Sequence, residues 1–314
     1  MSRVALILSL AFCFFGTCKV HGQSTISDRP FELSIGQGMW GALLPKYVWG
    51  CTLEDEYDEI PRSSHHIPRR YLWGENRGDQ AGISDDMNLA GYQGDFKLTH
   101  RFLDTRTSFE SRIFCAIAES AASGSEELLM PVLVPRAHNQ NEGIVSGTWR
   151  LNSDVQNYGF DLSLRDTWVT RFGGLSAGFA FSYIALDQTF KSTLDNSPLL
   201  REELDADYRG GKVFVGWDGW FRSTSANLDM LFGLFDMKAH YDADGFVKRN
   251  MAKTVPTIEV NLTTRRDFRD IQIGTTLGMI YLADVPLIEH NFDIPVSIGT
   301  DNAVTFKFLF EVVL

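Results

Sequence analysis

Apolar and polar side chains alternate with a period of two along most of the chain, in segments of about 12 to 18 residues. At the end of the chain the apolar set is Val304, Phe306, Phe308, Phe310, Val312 and Leu314. The residues between them include Lys307 and Glu311. Because successive side chains of a strand point to opposite faces, this spacing predicts a strand with one apolar and one polar face.

Alternating segments cover enough of the chain to predict an all-β protein, in keeping with 12% aromatic residues and 27 glycines. The segments are 31–38, 88–101, 105–119, 145–170, 175–190, 209–222, 226–241, 254–265, 269–283 and 302–314. In 145–170 the phase of the alternation changes between Val155 and Tyr158. This predicts one strand with a β-bulge near Gln156–Asn157, and two shorter strands are the alternative. With one strand here, the chain has ten.

The connections between these segments are alternately long and short. The long ones are 39–86, 120–144, 191–208, 242–253 and 284–301. An even number of strands with this order of loops predicts an antiparallel up-and-down β-barrel, with both chain ends on the side of the short turns. Short periplasmic turns and long external loops are typical of outer-membrane barrels.

Three features predict that this barrel is a transmembrane one rather than a soluble one. The segments are longer than the usual strands of soluble sheets and long enough to cross a bilayer at a tilt. Their polar faces are rich in Gly, Ser, Thr, Gln and charges of both signs. Aromatic residues near the segment ends resemble interfacial girdles: Tyr92, Trp149, Trp168, Trp217, Trp220, Tyr241 and Tyr281. The lipid bilayer is therefore an expected partner.

The N-terminus has the pattern of a secretory signal peptide. Arg3 is followed by the apolar run 4–15, and cleavage after Gly22 fits the small residues there. We therefore expect residues 1–22 to be a signal peptide and 23–314 to form a single barrel domain in the outer membrane. The terminal strand is of the kind that outer-membrane assembly machinery recognises, although it ends in Leu314 rather than Phe.

Charge and cysteine content limit the function further. The chain has 29 Lys and Arg against 40 Asp and Glu, a net charge of −11, which argues against nucleic acid as a partner. Export would leave Cys51 and Cys115. In an oxidising compartment they form either a disulfide or two free thiols, and the sequence leaves both open.

Part of the chain resembles a known family. The segments 149–190, 208–242 and 255–285 look like successive strand pairs of the Legionella-type major outer-membrane protein family, whose relatives are widespread in planctomycetes. The resemblance covers roughly residues 86–314 and rests on patterned strands rather than on a catalytic signature. It implies a pore-forming outer-membrane β-barrel without catalytic residues or cofactors.

The charged residues on the polar faces are candidates for the lumen. They are Asp95, Lys97, Arg101, Arg106, Glu110, Arg112, Arg165, Glu259, Arg265, Lys307 and Glu311. A ten-stranded barrel is narrow, and small barrels fill their interior with side chains. Two functions follow: a porin-like passive channel for small solutes, or a plugged barrel that is structural or binds ligands through external loops such as 39–86 and 191–208.

Two further candidates are weaker. The carboxylates Glu54, Asp55, Glu56, Asp58 and Glu59 are of the type that hard cations bind, but they lack a calcium-loop spacing. We therefore favour a solvated loop, and predict neither a metal site nor a cofactor. His240, close to Asp236 and Asp242, is the best candidate for catalysis, but no hydrolase or phosphate-binding motif occurs. We therefore predict that the chain is not an enzyme.

Overall fold

The protein was analysed as a computed structural model. It describes residues 30–52, 80–83, 87–102, 106–125, 128–129, 144–145, 147–170, 173–221, 224–244, 247–268, 271–290 and 296–314. The predicted signal peptide, residues 1–22, and the carboxylates of 54–59 lie outside these ranges.

The described residues form strands and no helix. The strands are β1 (Phe31–Leu44), β2 (Tyr47–Thr52), β3 (Gln80–Ile83), β4 (Met87–Arg101), β5 (Thr107–Gly124), β6 (Leu128–Leu129), β7 (Ile144–Val145), β8 (Trp149–Thr170), β9 (Gly173–Leu194), β10 (Ser197–Phe221), β11 (Thr224–Ala243), β12 (Val247–Phe268), β13 (Ile271–Glu289) and β14 (Ser297–Val313). Within the described ranges, no helical segment has the length and hydropathy to cross a membrane.

Ten of these strands form a closed barrel in the order β1-β14-β13-β12-β11-β10-β9-β8-β5-β4. All neighbours are antiparallel, and β1 closes the ring by pairing with both β14 and β4. The prediction of a ten-stranded antiparallel transmembrane barrel is thus confirmed. The short strands β3, β2, β6 and β7 form a separate four-stranded sheet.

The barrel has two parts, which β11 shows most clearly. In its first part the outward side chains are apolar and exposed: Leu228, Met230, Phe232 and Leu234. Further along the same outward face the side chains are polar: Asp236, Lys238, His240 and Asp242. The inward face changes in the opposite sense, since Asp229 is followed by buried Phe235 and Met237. An apolar exterior suits lipid and a polar exterior suits water, so β11 leaves the membrane near Leu234.

The change from an apolar to a polar exterior also explains the phase shift of the apolar residues in β8. Its pairing with β5 and β9 runs without interruption through 155–158, so the predicted bulge near Gln156–Asn157 is wrong. Val155 is apolar because it faces the interior above the membrane. Leu162 is apolar because it faces outward to lipid, with 39% of its surface exposed. The apolar residues therefore change phase while the strand stays regular.

The strands continue well beyond the membrane, and we call this part the extension. It comprises 42–44, 118–124, 149–157, 185–208, 235–256 and 283–303, as far as these are described. Its interior is an apolar core. Two predicted loops are therefore wrong: 191–208 and 242–253 are mostly strand. Asp195 and Asn196, at φ 49° and 63°, make the tight turn between β9 and β10, and such turns favour Asp and Asn.

The other predicted long loops are partly strand as well. Segment 39–86 contains the end of β1 together with β2 and β3, and 120–144 contains the end of β5 and β6. Segment 284–301 contains the outer ends of β13 and β14. At the end of β1 the strand pattern was missed because the buried side chains there, Trp40, Ala42 and Leu44, are apolar, whereas the buried side chains earlier in the strand are polar or glycine.

Aromatic residues lie where the apolar outer surface of the membrane part meets the polar outer surface of the extension. The Tyr183 hydroxyl donates to Asp207 at 2.5 Å, so its ring lies over lipid while its polar end faces the charged wall above. Trp168 and Trp217 are exposed near the short turns, as a girdle requires. Two girdle assignments were wrong: Trp149 and Tyr241 are buried in the extension.

Cys115 lies on β5, on the outward face beside exposed Ile117. Its thiol is free in the structure. The side chain of Cys51 lies outside what the structure describes, so a disulfide and two free thiols both stay open.

Candidate functional site

Six charged side chains meet in the middle of the lumen, and we call them the closure cluster: Asp95, Arg112, Asp161, Lys212, Glu259 and Lys307. They come from six different strands, β4, β5, β8, β10, β12 and β14, which lie on all sides of the barrel. Alternation places each of them inward, where long side chains can reach across a narrow tube.

Every member of the closure cluster has a partner of opposite charge. Lys212 Nζ lies 2.9 Å from Glu259 Oε2 and 3.1 Å from Asp161 Oδ1. Arg112 Nη2 lies 2.5 Å from Asp95 Oδ2, and Lys307 Nζ lies 3.5 Å from Glu259 Oε1. Three acids thus balance three bases, as expected where charges are removed from water.

The apolar core of the extension begins directly above this cluster. The Arg112 guanidinium lies 4.9 Å from the centre of the Phe114 ring, and Lys212 Nζ lies 5.9 Å from that of Phe235. Both rings are buried. The cluster therefore has an apolar cover on the side of the extension.

Below the cluster the lumen widens towards the short turns. A cavity of about 120 Å³ adjoins the cluster, and a second of about 400 Å³ lies nearer the turns. Further ion pairs cross this space: Arg165 binds Asp229 at 2.7 Å, and Arg265 Nη1 lies 2.7 Å from Glu32. We call this space the vestibule, and it is lined by charges of both signs.

All eleven sequence-predicted lumen residues line these two cavities. Arg101 and Arg106 line the wider one. The narrower one is lined by Asp95, Lys97, Glu110, Arg112, Arg165, Glu259, Arg265, Lys307 and Glu311.

Five further charged residues line the lumen and were not among the predicted ones: Glu32, Asp161, Lys212, Asp218 and Asp229. Each could have been found from alternation alone. Asp161 lies four residues before Arg165, on the same face of β8. Lys212 and Asp229 share a face with small residues, Gly210 and Gly233, in segments whose alternation is less regular.

The catalytic candidate is not brought into a site, and the candidate metal-binding carboxylates of 54–59 lie outside the described residues. His240 lies on the outer wall of the extension, where its Nδ1 is 2.8 Å from Asn250 Oδ1. Asp236 and Asp242 point outward on the same strand, away from any cavity in the lumen. Among the described residues, no group of three or more His, Cys, Asp or Glu side chains is arranged to hold a metal ion.

Comparison with known proteins gives similarity of fold only. No family model and no curated protein matches the chain. Among solved structures, it is similar to the outer membrane protease OmpT from Escherichia coli, at 7% identity and a TM-score of 0.47, over 93% of this chain and 98% of that one. It is also similar to a Pseudomonas aeruginosa FadL homologue, at 9% identity and a TM-score of 0.26, over 90% and 89%. At these values, neither protein's activity is carried over to this chain.

Proposed function

We propose that this protein is an outer-membrane β-barrel with a closed lumen, which acts through the extension that it holds above the lipid. The observation that carries the proposal is the closure cluster, in which ion pairs link side chains from six strands across the lumen. The apolar core lies above it. A hydrated ion would have to displace both layers.

The charges of the cluster support closure rather than conduction. Buried ion pairs are hard to separate, because each freed charge would lack both water and a partner. Porins of 16–18 strands enclose an aqueous channel, whereas about eight strands leave room for side chains or one small ligand. With ten strands, this barrel is closer in size to the barrels that side chains fill than to the porins.

A porin-like passive channel for small solutes is the second candidate. The resemblance to a pore-forming family favours it, and so does the polar vestibule on the side of the short turns. The lipid bilayer and the outer-membrane assembly machinery are expected partners under both proposals, and small solutes under this one alone.

Planar-bilayer conductance separates the two. The full chain would be refolded in detergent, and its folded state checked by heat-modifiable migration on a gel. We expect a folded barrel that gives no stepwise current at any salt concentration. The matched control is Lys238→Ala on the outer wall, which should be equally silent. Stepwise, salt-dependent channels from the folded chain would overturn the closed barrel in favour of the porin.

A further inference from the structure

A carboxylate lies at the centre of the apolar core of the extension. Glu202, on β10, has a side chain that is 1% exposed. It accepts hydrogen bonds from the hydroxyls of Tyr47 and Tyr241, and His290 Nε2 lies 2.8 Å from its Oε1. The Tyr47 ring also stacks on Phe190, with the ring centres 3.9 Å apart. We call Glu202, Tyr47, Tyr241 and His290 the latch.

The surroundings of Glu202 keep it ionised in spite of its burial. Burial alone raises the pKa of a carboxyl. The charge and hydrogen bond of His290 and the two tyrosine hydroxyls lower the pKa by more than burial raises it. The pKa of Glu202 therefore lies below its ordinary value. Burial and the nearby carboxylate raise the pKa of Tyr47 and Tyr241, which therefore stay neutral donors.

The latch joins three pieces of the extension that backbone pairing leaves separate. Glu202 and Tyr241 belong to the wall formed by β8 to β12. Tyr47 begins β2 of the small sheet, and His290 directly follows β13. The latch is therefore a tertiary link made by side chains alone.

The outer ends of β13 and β14 form a two-stranded ribbon that leaves the barrel. Pairing of β12 with β13 stops at Thr257 and Leu282, and pairing of β14 with β1 stops at Val304. Beyond these points β13 and β14 pair only with each other among the described residues. The ribbon packs buried Val285 onto the core.

The ribbon has a natural hinge where it leaves the barrel. The register of β13 with β14 shifts between Leu282 and Val285, and Asp284 has φ 56°. The remaining polar contacts between ribbon and wall are partly exposed. Lys253 binds Asp284 at 2.6 Å, and Arg249 Nε donates to the Val296 carbonyl at 3.1 Å.

We propose that the ribbon and β2 form a lid over the interior of the extension, and that Glu202 is the group that holds the lid shut. Protonation of Glu202 removes the acceptor charge that His290 and both tyrosines share, and the lid is then held by its apolar contacts and by exposed ion pairs. The groups facing the carboxylate are Tyr47 from β2, Tyr241 from β11 and His290 from the ribbon, with Arg249 and Asp242 close to Tyr241.

The direction of the pH dependence follows from the carboxylate. A group whose pKa is lowered on folding stabilises the folded form above its unfolded pKa, and this stabilisation is lost as the pH falls through the folded pKa. An ordinary Glu titrates at about 4.3, so release is expected below about pH 4. The inference does not depend on whether the lumen conducts, because the lid covers the extension in either case.

The test is a distance measurement by electron paramagnetic resonance on the full refolded chain in lipid vesicles. The four cysteines of the chain, Cys13, Cys18, Cys51 and Cys115, are first replaced by Ala. Spin labels are then attached at Lys238→Cys on β11 and Asp301→Cys on the ribbon. The control pair, Lys238→Cys and Gln156→Cys, lies entirely within the wall.

At neutral pH we expect one short distance between wall and ribbon. Glu202→Gln, which imitates the protonated side chain, should add a longer distance at neutral pH, and acid should do the same in the parent. The control pair should not change. His290→Gln serves as a second variant should Glu202→Gln fail to fold. An unchanged wall–ribbon distance in a folded variant and in acid would overturn the latch, and so would an equal change in the control pair.

Discussion

The two parts of this barrel are built on continuous strands that run from one into the other, but they place their apolar residues on opposite sides. In the membrane part, lipid contacts Leu228 to Leu234 of β11 while the closure cluster lies inside. In the extension, Phe235 and Met237 of the same strand are buried inside and charged residues face water. Strand alternation is thus common to both parts, and the solvent outside decides which set is apolar.

The largest loss of stability is expected when one charge is removed from the lumen. Glu259→Ala leaves Lys212 and Lys307 without their shared carboxylate. Breaking a buried charge network in this way costs about 3–5 kcal/mol. Urea unfolding in lipid vesicles measures the loss.

The matched control for Glu259→Ala is Asp236→Ala on the outer wall of the extension. It removes the same charge from a site in contact with water, so the expected change is within about 0.5 kcal/mol. Equal losses for the two variants would contradict a dry, paired lumen.

The second largest loss of stability is expected when a positive charge is placed on the outward face of β9. Phe179 is 60% exposed in the membrane part, and Thr189 lies ten residues further along the same face, in the extension. Phe179→Arg should cost about 2–4 kcal/mol, because it puts a charge in hydrocarbon. Thr189→Arg should change the unfolding free energy by no more than about 0.5 kcal/mol. Similar losses in vesicle unfolding would mean that both positions face the same solvent.

The smallest effect concerns an ion pair on the outside of the extension. Hydrogen bonding to Lys253 lowers the pKa of Asp284, partial burial opposes this, and Thr300 adds a second hydrogen bond. The pair therefore stabilises the fold above the unfolded pKa of Asp284, and this stabilisation is lost as the pH falls through the folded value. Since both side chains are partly exposed, Lys253→Ala should cost no more than about 1 kcal/mol. Comparing unfolding of the two proteins at pH 7 and pH 3 tests this, and a difference that is larger at pH 3 would contradict it.

The sequence was sufficient for the barrel and its strand number because period two is a local property of the chain. It was not sufficient for the extension, because a change of apolar phase has two local explanations. At Val155 to Tyr158 a bulge and a change of solvent give the same pattern, and only the pairing with β5 and β9 distinguishes them. The segment 191–208 was assigned to a loop for the same reason.

The latch is a part of the structure that could not be predicted from the sequence pattern. Glu202 shares its face of β10 with Leu204, Ala206 and Tyr208, so alternation alone would have indicated a buried acid once the strand was recognised. Its partner His290 is 88 positions away, and Tyr47 belongs to a different sheet. No periodicity relates such distant positions, so the cluster could be found only from the fold.

The length of β10 has a consequence for what the cell presents to its surroundings. Its 25 residues measure about 80 Å along the strand at ~3.3 Å per residue. With a tilt of about 40° the strand rises about 60 Å, so an apolar band about 25 Å tall leaves roughly 35 Å of wall above the lipid. Under the proposed function, this height raises the tight turn at Asp195–Asn196 and the small sheet out of the headgroup layer, to where large molecules in the medium can reach them.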